Sequence, residues 1–317
     1  MSGTPRAMLR ILSKGGAEAP SPDDPSALWY DLESPTAEEE DRVEAILGIN
    51  VPTPAERAAV EESARFYEED GELYVTATLL GRRDEGPFVS GPVTFILVHE
   101  KLVTVRQIRP RAFDVGQGRA SARIGSAKTG ADVLLALIEG AAERLADMLS
   151  EAQHNSHDAA MGVFERDPAP DLRESLRVLG RIGMLIALSA DSLSSLQRLL
   201  AFTHSVCKKH GVDEGKVAAL ERDVDELERL AETLLNRVSY LQDAALGLIG
   251  STQSDTLKAL SLATIAFVPP TLIASIFGMN FVGMTWFHEP WGAWVGFLLM
   301  IIAPLALFLA ARWRGWF

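Results

Sequence analysis

Cysteine is almost missing from this sequence. Its one thiol, Cys207, cannot form a disulfide within the chain or supply an all-cysteine zinc site. Basic charge is also short: 30 Lys and Arg stand against 43 Asp and Glu, for a net charge of −13. That balance excludes a nucleic-acid partner, whose phosphates need a basic footprint. There is no glycine-rich phosphate loop, so no nucleotide partner is expected. No organic cofactor motif and no catalytic constellation stands out, so the chain reads as something other than an enzyme. The start, MSGTPRAMLRILSKGGAEAP, has no apolar run long enough for a signal peptide. Residues 1–20 read as a flexible start, and the large N-terminal portion is expected to stay in the cytoplasm.

The most informative absence is of charge near the C-terminus. Apolar residues make up 47% of a chain that is also 23% charged, so the two kinds must be segregated. Between Lys258 and His288 there is no charged side chain, and a second charge-free run lies between Glu289 and Arg312. A helix needs roughly 20 apolar residues to cross a bilayer, and helices satisfy their own backbone in lipid. The runs predict two transmembrane helices, 257–280 and 291–312, joined by an outer loop 281–290, with a cytoplasmic tail 313–317. Lys258, Arg312 and Arg314 mark the inner side and put both termini in the cytoplasm. A buried helical hairpin in a soluble core is the alternative.

The rest reads as α+β. A cytoplasmic α/β domain is expected over 1–130 and a helical, stalk-forming region over 131–256. ALWYDL (27–32) suggests a strand. Ser34, Pro35 and Thr36 before a run of glutamates mark a helix start. Asp70-Gly71 between alternating residues suggests a hairpin, and a second strand pair turns at His99–Lys101. A helix is expected over 170–206. A stripe with steps of four and three runs through Leu220, Val224, Leu227, Ala231, Leu234, Val238, Leu241, Ala245 and Leu248, as in a coiled-coil seam. One helix is expected from about 214 to 280, on the order of 100 Å long, with sister helices as its partners. His204, Cys207 and His210 are spaced three apart, spread over about 120° of helix, and do not converge on a zinc ion.

The first span ends in Gly278-Met279-Asn280. At this point the sequence resembles the CorA family of divalent-cation channels. Two spans, a short outer loop, a basic C-terminal end and a long helix feeding the first span agree with it. So do AFVPPTLIASIFGMNF (266–281), similar to the family's proteobacterial branch, LNRVSYLQDAALGLI (235–249), WYDLESP (29–35) and ESARFYEEDGELYV (62–75). The resemblance implies a funnel-shaped homopentamer in a bacterial inner membrane, with the first spans lining the pore and the second spans outside. It further implies transport of Mg²⁺, with Co²⁺ and Ni²⁺ also admitted, and regulation by cytoplasmic Mg²⁺. Asp223, within ERDVDELE (221–228), is nearest the family's regulatory position; a solvated helix face is the plainer reading of that run. One departure stands out. Where the family's magnesium transporters carry Met-Pro-Glu-Leu, this loop has Met284-Thr285-Trp286-Phe287-His288-Glu289.

The residues of the first span add their own argument. Ser261, Thr264, Val268, Thr271 and Ser275 recur at steps of three and four, and Leu257 extends the line inward. Such a row suits a wet lumen, though Ser and Thr also pack helices in membranes. Gly278, Met279 and Asn280 would form a filter that hydrogen-bonds the ion's water shell; a helix cap is the alternative. His288 and Glu289 would sit at the outer mouth. Pro269-Pro270 would form a hinge or a tolerated kink. The leading expectation is a passive pore for hydrated Mg²⁺ driven by the membrane potential. A ZntB-like Zn²⁺ transporter coupled to protons is the alternative within transport. A non-conducting membrane-anchored coiled-coil scaffold is the alternative outside it.

Overall fold

The computed structural model describes residues 8–13, 21, 24–58, 61–82, 86–113, 119–164, 172–279 and 291–314. The chain divides into two compact units, Met1–Gln242 and Asp243–Phe317.

The first unit is built on a sheet of β1 (Met8–Ser13), β2 (Ala27–Glu33), β3 (Phe66–Glu69), β4 (Glu72–Arg82), β5 (Phe88–Val98) and β6 (Lys101–Arg106). Their spatial order is β1-β2-β6-β5-β4-β3. Among the described strands only β2 and β6 pair in parallel, with Trp29 opposite Leu102. The Asp70-Gly71 hairpin forms as the dipeptide predicts. Both residues have positive φ, 50° and 92°, the backbone whose twist suits a two-residue turn between strands. The second turn is His99–Glu100, with His99 at φ 50°. The expectation of a flexible start over 1–20 is corrected for residues 8–13, where Leu9 to Leu12 pair with Leu32 to Trp29 and Ile11 and Leu12 are buried; the rest of that span lies outside the described residues.

Side chains alternate across the sheet. One face carries Tyr30, Leu32, Tyr74, Ile96, Val103 and Val105, and packs with Val43 of α1 (Ala37–Leu47) and with Ile49 and Val51. Thr36 caps α1 in a reciprocal capping box with Glu39. Two single-turn helices follow, α2 (Pro54–Arg57) and α3 (Glu62–Arg65). The opposite face carries Trp29, Leu73, Val75, Phe95, Leu97 and Leu102. After α4 (Arg119–Ser126), two long helices cover that face: α5 (Gly130–Phe164) and α6 (Leu172–His210). The backbone N–H of Gly130 donates to the Glu100 carbonyl, and a Cβ at this position would collide with the Lys101 backbone. Only glycine lets α5 start so close to the β5–β6 turn.

Next to the parallel strand pair lies a buried polar chain. The Trp29 indole N–H donates to Thr104 Oγ1 (2.9 Å), which donates to Asp31 (2.8 Å). Arg106 grips Asp31 with two hydrogen bonds, 3.0 and 2.8 Å. It also reaches Glu33 at 2.8 Å and the Ile108 carbonyl at 2.8 Å. Arg109 closes the chain on Glu33. Burial works against the charge of Arg106, but Asp31 and Glu33 outweigh it, and its pKa is raised.

A single helix, α7 (Glu214–Gly278), runs on from the first unit into the second. The expectation that its apolar stripe packs against sister helices is corrected for Leu220 to Leu241. Leu220, Val224, Ala231, Leu234, Val238 and Leu241 are buried in the chain's own core, together with Leu179, Ile182, Ile186, Leu193, Leu196 and Leu200 of α6. Val238 lies 3.4 Å from where a Cβ on Gly183 would stand. The physical reason is that α6, at 39 residues, is long enough to cover the stripe from within the chain.

In the second unit the end of α7 packs against α8 (Gly292–Trp313). Phe277 lies over Gly296, where an added Cβ would come within 2.9 Å of the ring. Gly292, Gly296 and Ala311 are the buried residues of α8. Both helices are long and apolar enough to cross a membrane.

Candidate ion pathway

The last third of α7 is almost bare of intrachain cover. Leu257 is 55% exposed and Val268 56%, and Ser261, Thr264, Thr271 and Ser275 are exposed as well. So many exposed apolar and hydroxyl residues on a charge-free helix require another environment, either lipid or other chains. Hydrogen bonding divides the surface further. Thr264 donates its hydroxyl to the Leu260 carbonyl (2.9 Å), Thr271 to Phe267 (2.6 Å) and Ser275 to Thr271 (2.8 Å). Each donor is thus spent on the helix itself. What these three side chains offer outward is the lone pairs of an oxygen, so they act as acceptors.

Pro269 and Pro270 lie inside α7, and the helix is unbroken through them. Proline has no N–H to give, so the carbonyls four residues earlier, of Ile265 and Ala266, lose their helical donors. Gly278 is the last helical residue and has open space around its α-carbon. Met279 follows at 53% exposure, with its N–H bonded to the Ile276 carbonyl at 3.2 Å. Asn280, His288 and Glu289 lie outside the described residues.

The sequence matches the family model described as CorA-like Mg2+ transporter protein over residues 24–312. The chain belongs to that family. A magnesium transport protein CorA of Wolinella succinogenes is 29% identical over 296 residues, covering 92% of this chain and 91% of that protein. In fold, the complete CorA magnesium transporter of Methanocaldococcus jannaschii is similar with a TM-score of 0.72, at 16% identity and 98% coverage of both chains. The ZntB cytoplasmic domain of Vibrio parahaemolyticus gives a TM-score of 0.51 at 14% identity, over 77% of this chain and 98% of that one. The architecture expected from the sequence, an α/β domain followed by a long helix and a C-terminal apolar helix, is that of full-length CorA. A CorA-like family is one of transporters, which accords with the expectation that the chain is not an enzyme.

Asp223, the position suggested by CorA resemblance, lines a groove of about 430 Å³ between α5 and α7, with Glu139, Glu143 and Glu226 beside it. The sequence reading missed the α5 carboxylates, although Glu139 and Glu143 are spaced to share one helix face. Arg123 already holds both, at 3.0 and 2.8 Å. Its hydrogen bond to Glu143 is the main cause of its raised pKa. Asp223 and Glu226 are therefore the groove's carboxylates without that cation. No group of three His, Cys, Asp or Glu suited to a metal ion occurs among the described residues. The His204, Cys207 and His210 trio points three ways: His204 pairs with Glu221 on α7, His210 with Glu68 on β3, and Cys207 is buried.

Proposed function

We propose that this chain forms a ring of identical subunits, a homopentamer, that admits hydrated Mg²⁺ through a pore lined by the end of α7. The spent hydroxyl donors of Thr264, Thr271 and Ser275 carry this reading. A hydrated cation turns water hydrogens outward, and a wall of acceptors suits it. Mg²⁺ sheds its water reluctantly, so a wall without carboxylates asks for no dehydration. A single helix cannot enclose a path, so several copies must contribute theirs. The fold and family shared with magnesium transport proteins support the same cargo.

In this reading Leu257, Ser261, Thr264, Val268, Thr271 and Ser275 line the passage. Gly278, Met279 and Asn280 form the filter, where amide oxygens hold the ion's first water shell weakly enough to release it. His288 and Glu289 stand at the outer mouth, and Pro269-Pro270 is the hinge of opening. Asp223 takes a regulatory Mg²⁺ together with donors of a neighbouring subunit, since the described residues of one chain hold no full set. Co²⁺ and Ni²⁺, also octahedral hydrated ions, pass as lesser substrates. The protein sits in the bacterial inner membrane with both termini inside. The potential then drives each divalent ion inward with about 4.6 kcal/mol per 100 mV, twice the single-charge value.

The test is flux into liposomes carrying the full-length protein, read with Mg²⁺ and Zn²⁺ indicators under an imposed voltage and, separately, a pH gradient. Mg²⁺ entry that follows voltage and ignores pH is expected. Zn²⁺ entry that follows the pH gradient would replace this reading with the ZntB-like one. Silence under all conditions, including low internal Mg²⁺, would leave the scaffold.

A further inference from the structure

The charge at the end of α8 is unlike the rest of the molecule. The chain carries −13 overall, yet beyond Asp255 its only acidic residue is Glu289, against Lys258, Arg312 and Arg314. Lys258 is held by Asp255 at 3.4 Å. Arg312 is exposed and makes no ion pair among the described residues.

The face of α8 on which Arg312 stands is built to a pattern. Leu309, Leu305, Ile302 and Leu298 precede it at steps of three or four, and so continue below it on one side of the helix. They are 55%, 54%, 47% and 56% exposed. Gly292, Gly296 and Ala311, the buried residues, lie on the opposite side. From Leu298 to Leu309 the stripe rises roughly 16 Å at 1.5 Å per residue. That is about half the ~30 Å hydrocarbon core, the depth of one leaflet. Trp313, 89% exposed, adjoins the arginine at the level where indole rings seat among headgroups.

We propose that this face binds an anionic phospholipid of the inner leaflet, with the phosphate paired to Arg312 beside Trp313 and an acyl chain along Leu309, Leu305, Ile302 and Leu298. Guanidinium matches a phosphate in two hydrogen bonds. The leaflet-deep apolar stripe beneath it selects a lipid over a soluble phosphate, which needs no such column. The proposal rests on the reading that α8 crosses the membrane.

The experiment measures association of spin-labelled phosphatidylglycerol and phosphatidylcholine with the full-length protein in vesicles made of equal parts of the two lipids. Wild-type protein is expected to hold phosphatidylglycerol in preference. Arg312→Gln should lower that preference about fivefold, the factor one basic residue is worth near an anionic surface. Arg312→Lys should keep part of it, and Arg314→Gln, a turn-end charge off the stripe, should change it little. Added inorganic phosphate should not displace the lipid. Equal preference for both lipids in the wild type, equal loss in the two Gln variants, or displacement by phosphate would each overturn the proposal. Failure to incorporate even into pure phosphatidylcholine vesicles would overturn the spanning reading as well, whereas incorporation without preference overturns only this inference.

Discussion

Arg106 is 4% exposed, and two carboxylates hold its charge in place. Asp31→Ala removes the one that makes two hydrogen bonds and leaves Glu33 to balance Arg106 while Arg109 competes for it. Unpairing a buried charge is among the costliest single changes, and thermal or urea unfolding should report a loss of about 3 kcal/mol. A second residue-scale outcome concerns Tyr67, stacked on Tyr74 with ring centroids 4.8 Å apart. Burial, helped by Tyr74 and nearby glutamates, pushes its pKa up to about 12. The neutral phenol is the form the fold prefers. Its contribution is complete below the unfolded value near 10, and is lost as pH rises through about 12. Ultraviolet titration should show Tyr67 ionising well after an exposed tyrosine, and Tyr67→Phe should reduce the late-ionising amplitude by one tyrosine while Tyr74, also raised by burial, still ionises late. Neither residue was legible in the sequence, because partners such as Asp31 and Arg106 become neighbours only when distant strands pair.

Elements were more legible, since their signals are local. The Thr36 cap, the Asp70-Gly71 turn and the long helical runs follow from residue type and spacing, and the fold has them where expected. The first strand escaped notice because MLRILS is short and sits among small residues, and only pairing with β2 defines it. The stripe on α7 marks a buried seam from Leu220 to Leu241 that the chain itself covers, while Leu248 at its end is exposed: period identifies a face, not what covers it. Leu234, 3% exposed, tests the correction. Leu234→Ala should cost about 3 kcal/mol of stability, as for other buried leucines. The loss should be independent of protein concentration, because the cover belongs to the same chain. A loss that vanishes at high concentration would return the seam to neighbouring subunits.

At the scale of the whole molecule, the two apolar spans and the family were visible from the absence of charge and from Gly278-Met279-Asn280. The hydroxyl row was visible too, but not that the donors of Thr264, Thr271 and Ser275 are spent, since that depends on rotamers. Two variants separate wall from filter in the flux assay. Thr271→Val removes one acceptor of the row and should slow Mg²⁺ entry severalfold while keeping its preference over monovalent ions. Asn280→Ala should abolish selective entry while the assembly keeps its mass in light scattering. Normal selective flux in Asn280→Ala would contradict the proposed filter.

The parallel pairing of Trp29 with Leu102 also bears on how the protein is made. The second strand leaves the ribosome more than seventy residues ahead of its inner neighbour. At ordinary elongation rates of ~5–20 residues per second, that is a wait of several seconds. During it the Trp29 face of Ala27–Leu32 lacks the strand beside it and the long helices that cover it, although α1 already shields the Tyr30 and Leu32 face. Nascent chains stalled before β6 has emerged should therefore be the ones that recruit chaperones, and those stalled far enough beyond Arg106 for β6 to clear the exit tunnel should release them.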